Sequence, residues 1–286
     1  MATRAEAITD QAASATADAP PPRVSLWART ARLRTIITVL LGTVVVWEAV
    51  CQIFSLPTVL LPAPSLVFAD MAKSTDWIFV HTSYTLFATL LGFGLAVVFG
   101  VAIAVAIVYS PFLERTLYTL LVAFNSLPKV ALAPLFIIWM GTGMSPKVAI
   151  ALVIAIFAIV IDMVLGLRSV DPDMLDLAKT CNASPLQTLL KIRFPNALPS
   201  LFAGMKVAIG LALVGAIVGE FVAADRGLGY VIQSAQGMFD TTRMFTGLVL
   251  LGLLGTILFF LIDLAERLML PWHVSRRSDH AVRAGS

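Results

Sequence analysis

Six separated apolar runs constrain this chain more than any other feature. They lie at about Thr35 to Phe54, 86–109, 116–140, 147–167, 200–222 and 245–270, and a helix of about 20 apolar residues is what crosses a hydrocarbon layer about 30 Å thick. Backbone polar groups in lipid must be satisfied within the segment, so each run is expected to be a helix. The composition agrees: 59% of residues are hydrophobic and 13% charged, whereas a soluble domain is about half apolar and a quarter charged. The expected fold class is therefore all-α, a polytopic membrane protein with about six transmembrane helices.

Residues 1–25 hold almost no large apolar side chain and read as a disordered tail. They contain no apolar stretch of signal-peptide type, so the first run, which follows Arg29, Arg32 and Arg34, reads as an uncleaved anchor. The membrane domain is expected over 26–272, with a short tail at 273–286. The polar and aromatic stretch Trp77 to Thr85 reads as an interfacial extension of the second span. Pro128 and Pro134 interrupt the third run, which is expected to be kinked or split.

Short cytoplasmic loops carry an excess of Lys and Arg. With the N-terminus inside, Arg4, Arg23, Arg29, Arg32, Arg34, Arg115, Arg168, Lys179, Lys191, Arg193, Arg267, Arg276, Arg277 and Arg283 fall on the cytoplasmic side, against Lys73, Lys147, Arg226 and Arg243 on the other. Both termini are thus expected in the cytoplasm. The net charge of +3 reflects this orientation signal rather than a nucleic-acid partner. Cys51 and Cys181 form neither a disulfide framework nor a zinc pair, and His81, His273 and His280 are scattered without a His-Glu-x-x-His spacing. No serine sits in a Gly-x-Ser-x-Gly turn. No catalytic or metal-binding group is expected.

The longest cytoplasmic connection, 169–199, is also the most patterned. Asp171 suits an N-cap, Pro172 the first helical position, and Asp173 the positive end of the helix dipole. Met174, Leu175, Leu177, Ala178 and Cys181 then line one side, and Asn182 tolerates the left-handed conformation that ends such a helix. Ser184, Pro185 and Gln187 read as a capping box opening a second short helix, with Leu186, Leu189, Leu190 and Phe194 apolar and Lys191 and Arg193 at its negative end. Pro195 and Pro199 are expected to stop it. The apolar sides either pack on the protein's own helix ends or wait for a partner.

This segment resembles the EAA loop of bacterial ATP-binding-cassette (ABC) importer permeases, whose pattern is Glu-Ala-Ala, three residues, Gly, nine residues, Ile, one residue, Leu-Pro. The matching positions here are Asp176, Leu177, Ala178, then Asn182 with Ala183 and Ser184 beside it, then Ile192, Phe194 and Pro195. The spacing holds throughout; the departures are Asp for Glu, Leu for Ala, Asn for Gly and Phe for Leu. The stretches LPKVALAPLFIIWMGTG (127–143), GMKVAIGLALVGAIVGEF (204–221) and GLGYVIQSA (227–235) extend the likeness over about 80–272, toward the nitrate, sulfonate, taurine and pyrimidine-precursor group. The resemblance implies a type I ABC importer permease fold and two permease subunits in the inner membrane lipid, either a homodimer or a pair with a second, similar chain, the absence of a partner half in this chain favouring the homodimer. It also implies a cytoplasmic ATPase dimer docked on the loop, an extracytoplasmic substrate-binding protein, and no cofactor in this chain, ATP and Mg being held by the ATPase. In keeping with that, the sequence has no Gly-x-x-x-x-Gly-Lys-Ser/Thr phosphate loop.

Ionisable residues inside spans are costly and mark cavities or partners, which makes Lys129, Glu220, Glu48, Asp162 and Lys206 candidates for a translocation pathway. For Lys129, beside Pro128, the alternatives are contact with an anionic substrate or an ion pair with Glu220 or Glu48. Asp162, Lys206, Asp263 and Glu266 are expected to be solvated or to snorkel to the headgroups. Gly204, Gly210, Gly215 and Gly219 suit close helix packing, and Gly227 and Gly229 a tight turn or a re-entrant segment. The competing function is a secondary transporter or channel for a small anion, which commonly shows an inverted repeat. The loop at 169–199 has no counterpart in the first half of the chain.

Overall fold

A computed structural model describes residues 26–116, 123 and 127–271. The expected tails at 1–25 and 273–286, and much of the first half of the third run, lie outside the described residues. The described residues fall into two units, 26–47 and 48–271. In the first, the described residues form the greater part of helix α1, Leu26–Ile53, whose Ile37, Val39, Leu40, Leu41, Val45 and Val46 are exposed as lipid-facing aliphatics would be.

The regular elements of the second unit are all helices among its described residues. After the end of α1 come α2, Pro64–Lys73, and α3, Thr75–Tyr109. A 3-10 turn, Lys129–Leu132, leads into α4, Ala133–Met140, followed by α5, Met144–Arg168, and a short helix α6, Pro172–Thr180. Helix α7 runs over Pro185–Val222, α8 over Leu228–Gly237 and α9 over Thr241–Met269. Among the described residues, four helices are long and apolar enough to cross a membrane: α3, α5, α7 and α9, with 35, 25, 38 and 29 residues. The two remaining expected spans correspond to shorter apolar helices, Ile37–Ile53 within α1 and Lys129–Met140. Among the described residues the third run is interrupted at 127–128, where Pro128 (φ −69°, ψ 87°) precedes the 3-10 turn. Helix α3 begins at Thr75, so the stretch from Trp77 to Thr85 does extend the second span.

The loop at 169–199 differs from expectation in one respect. The segment from Ser184 is not a second short helix ended by Pro195 and Pro199; it is the first turns of α7, which runs on through both prolines. The reason is local. Residues Leu189–Arg193 form a π turn in which the Phe194 N–H bonds the Leu189 carbonyl five residues back. Pro195 has no N–H to give, and in an α-helix its ring would press on the carbonyl four residues before it. The wider turn moves that carbonyl aside, which is how π turns relieve a helix. Pro199 then sits inside the helix, as prolines in membrane helices do where neighbouring groups re-satisfy the backbone.

Helix α5 is the centre of the unit, buried along Ile150, Ala151, Ile154, Ala155, Ile159, Val160 and Met163. It packs between α3 and α7 through small residues. On α3, Ala88, Gly92, Ala96, Gly100 and Ala104 recur every four residues, one stripe of a helix face, and all are buried. A Cβ at Gly92 would lie 2.5 Å from the Ala151 Cβ, and one at Gly215 of α7 2.6 Å from the Ala151 Cα, so both helices meet α5 almost backbone to backbone at Ala151. Gly204 and Gly219 pack in the same way against Asp162 and Lys147, whereas Gly210 has nothing within 4 Å. Lipid tails give helices no hydrophobic reason to associate, so this close van der Waals fit holds the three together.

Candidate functional site

Two constellations stand at opposite ends of α7. The first is built on α6. The Asp171 carboxylate accepts from the Asp173 N–H at 2.9 Å, with Pro172 at the first position, as the sequence predicts. At the other end the Ala183 N–H bonds the Ala178 carbonyl (2.9 Å) and the Asn182 N–H the Lys179 carbonyl (2.9 Å), with Asn182 left-handed at φ 51°. That is a Schellman motif with asparagine where glycine is usual. Ser184 and Gln187 close a capping box, N–H to side chain in both directions, at 3.2 and 2.9 Å. The helix is thus stopped at both ends by its own side chains and backbone.

Its faces divide sharply. Ala178 is buried and Leu175 half-buried, while Met174 and Leu177 are 52% and 64% exposed. Leu186 and Leu190, in the first turns of α7, are 63% and 58% exposed. Asp176 and Lys179 form an exposed pair (2.8 Å) that contributes little by itself. Phe194 and Leu189 turn inward against the core, Ile192, Ala183 and Pro195 are half-buried, and Ser184 is exposed. Four large apolar side chains therefore stay uncovered beside a rigid, capped helix.

The second constellation is at the far end of α7, around Glu220. This carboxylate is fully buried. The Thr85 hydroxyl of α3 lies 2.8 Å from its Oε1, and the Gly229 N–H donates to its Oε2 at 2.7 Å. The same Thr85 oxygen accepts from the Leu228 N–H at 2.8 Å, and the Gly227 N–H donates to His81 Nδ1 at 3.0 Å. Three successive amides at the start of α8 are thereby held by one carboxylate, one hydroxyl and one imidazole, while the His81 ring stacks on Tyr230. Gly227 has φ +116°, and a Cβ there would fall inside the Glu220 carboxylate, so glycine is required twice over. Lys147, also fully buried, packs on Gly219 and donates to the Thr142 and Gly143 carbonyls at 2.7 and 2.9 Å. Thr85 and Lys147 escape the sequence reading, because nothing near them in the chain points to Glu220.

The other intramembrane charges have their own partners. Glu48 accepts from the Ser65 N–H and hydroxyl and from Gln52 at 2.8–3.0 Å, tying the end of α1 to the start of α2. The expectation that Lys206, Asp263 and Glu266 are solvated or snorkel is corrected: the Lys206 ammonium of α7 bonds both Asp263 (2.6 Å) and Glu266 of α9, and Arg267 bonds Asp263 (2.7 Å). Ionisable side chains within membrane spans commonly pair with one another, as this ammonium does with two carboxylates across a helix contact. Asp162 lies half-buried against Gly204. Lys129 stands over the Phe157 ring at 4.5 Å, while Glu220 and Glu48 are engaged by the groups above.

Residues 92–271 match the family described as binding-protein-dependent transport system inner membrane component. The chain belongs to this family. The permease is 37% identical over 233 residues to the riboflavin transport system permease protein RibX of Chloroflexus aurantiacus, covering 81% of this chain and 87% of that one. It is 33% identical to the formylaminopyrimidine transport permease protein ThiX of Halalkalibacterium halodurans (80% and 91% covered). To the putative aliphatic sulfonates transport permease protein SsuC of Escherichia coli strain K12 it is 29% identical (81% and 89% covered). Its fold is that of the permease in an inward-facing MetNI methionine ABC transporter, at TM-score 0.59 and 24% identity, covering 67% of this chain and 95% of that one. The expected fold class and family are both borne out, and with them a role in transport across the inner membrane.

Proposed function

We propose that α6 and the adjoining turns of α7 dock a separate cytoplasmic ATPase, and that this permease works as a homodimer whose spans alternate between inward- and outward-open states as the ATPase dimer closes and opens. The observation that carries the reading is the exposed set Met174, Leu177, Leu186 and Leu190 on a helix whose ends are capped internally. Apolar side chains in a charged, water-facing loop mark a protein contact. ATP and Mg belong to that partner, and Asp176, Leu177, Ala178, Asn182, Ala183, Ser184, Ile192, Phe194 and Pro195 form or support the contact.

Arg115, Arg168, Lys179, Lys191, Arg193 and Arg267 cluster at the α6 end of the spans, so both termini face the cytoplasm. The opposite segments, around 55–80, 141–147 and 223–244, receive an extracytoplasmic binding protein. A flat heterocycle of the riboflavin or pyrimidine-precursor kind is the favoured solute, because identity to the riboflavin and formylaminopyrimidine permeases (37% and 33%) exceeds that to the sulfonate and taurine ones (27–29%).

The test is co-purification of the tagged permease from its native membrane beside the double variant Met174→Asp, Leu177→Asp. Both positions are exposed, so the loop keeps its caps and its buried Ala178. An ATPase subunit recovered with the intact chain and lost from the variant is the expected result. Full retention by a folded variant removes the docking assignment.

A further inference from the structure

Helix α6 has little grip on the rest of the molecule, since Ala178 is its one buried residue. A push on it is therefore not passed to the spans by its own packing; it must travel along the chain on either side. Both flanks are pinned, and the pins converge.

On the α5 side, the last carbonyls of a helix lack intrahelical donors. The Ser169 N–H and hydroxyl satisfy those of Leu165 and Gly166, and the Leu167 carbonyl is taken by the Arg193 guanidinium at 2.8 Å. A cation there also faces the negative end of the α5 dipole. Asn196 of α7 holds the Ser169 hydroxyl at 2.9 Å. On the α7 side, the hydroxyl of Tyr109, the last residue of α3, donates to the Pro185 carbonyl at 3.1 Å, and its ring lies 6.0 Å from the Arg193 guanidinium. Arg193 itself sits in the π turn, the one irregular turn of α7. The ends of α3, α5 and α7, the three helices of the small-residue core, thus meet at two side chains that join the segments flanking α6.

We propose that Arg193 and Tyr109 are positioning residues that form the joint through which displacement of α6 is delivered to α3, α5 and α7 and so to the far end of α7. The inference rests on the docking reading above. Neither side chain is part of the exposed apolar set, so breaking the joint leaves the ATPase bound and uncouples the spans from it.

The experiment is hydrogen–deuterium exchange on the permease–ATPase complex purified from the native membrane, nucleotide-free and trapped with ADP and vanadate, for the intact chain and for Arg193→Ala, Arg193→Lys and Tyr109→Phe. The intact complex is expected to change its exchange both at 172–180 and in the outer connection 223–240. Arg193→Ala and Tyr109→Phe keep the ATPase and the change at 172–180, but the response at 223–240 falls about fivefold, a size ordinary for coupling mutations. Arg193→Lys, which keeps a cation able to reach the Leu167 carbonyl, restores part of it; a merely structural role predicts no such split between the two ends. An undiminished outer response in Tyr109→Phe and Arg193→Ala alike, or loss of the ATPase from a folded Arg193→Ala, overturns the joint. No change at 172–180 in the intact complex instead removes the docking reading, and the joint falls with it.

Discussion

Glu220 shows at the level of one residue how a costly group becomes a structural anchor. A carboxylate with no exposed surface needs donors, and it draws them from the Thr85 hydroxyl of α3 and the Gly229 amide at the start of α8. Glu220→Leu removes the acceptor for the Gly229 N–H and the partner of Thr85, and a buried donor left unsatisfied costs about 1–3 kcal/mol. Glu220→Gln keeps an acceptor and should lose less. Gly227→Ala should be at least as harmful as Glu220→Leu, above about 2 kcal/mol, since it adds backbone strain at φ +116° to a collision with the carboxylate. Thermal unfolding of the purified variants, followed by tryptophan fluorescence, should rank the midpoints Gln above Leu, with Gly227→Ala no higher than Leu. The charge at Glu220 and the glycine at 227 are legible in the sequence as separate oddities. Their being one site is not, because Thr85 lies 135 positions from Glu220 and only the packing of α3 beside α7 brings it there.

Single helices carry the next distinction. The glycines of α7 look alike in sequence, but α5 lies behind only some of them. At Gly215 a Cβ would meet the Ala151 backbone at 2.6 Å, where nothing can rotate away, while at Gly210 there is open space. Gly215→Ala should therefore lower the unfolding midpoint by the equivalent of about 1–3 kcal/mol of overpacking. Gly210→Ala should be neutral or raise it by about 0.5–1 kcal/mol through better helix propensity. The opposite order would mean that α7 does not meet α5 along this face. Elements also explain the one misreading in the cytoplasmic loop. Proline is read as a helix stop because an α turn has no room for it, and the π turn before Pro195, which makes that room, has no sequence signature of its own. By contrast the caps of α6 and of the start of α7 are local, formed by residues within five positions of each other, and the sequence predicts Asp171, Asn182 and the Ser184–Gln187 box correctly.

For the whole molecule, the two native cysteines offer a direct test of orientation. Cys181, at the end of α6, is exposed and Cys51 is buried. A membrane-impermeant maleimide should label Cys181 in inside-out vesicles stripped of peripheral subunits and leave right-side-out vesicles essentially unlabelled, and Cys181→Ser should abolish the signal. Labelling from the outside would reverse the proposed topology and place α6 beyond reach of any cytoplasmic ATPase. The class of molecule follows from sequence alone. Apolar runs of bilayer length admit only helices, the lopsided basic residues orient them, and the spaced loop pattern names the family, since each of these signals is either local or a sum over the chain. What each intramembrane charge does was decided by the tertiary structure. Lys206 meets Asp263 and Glu266, Glu220 meets Thr85 and Gly229, and Arg193 meets Leu167 and Tyr109 only because α3, α5, α7 and α9 pack side by side. A hydrogen bond depends on distances of a few ångströms between residues far apart in the chain, and such distances exist only once the helices have packed.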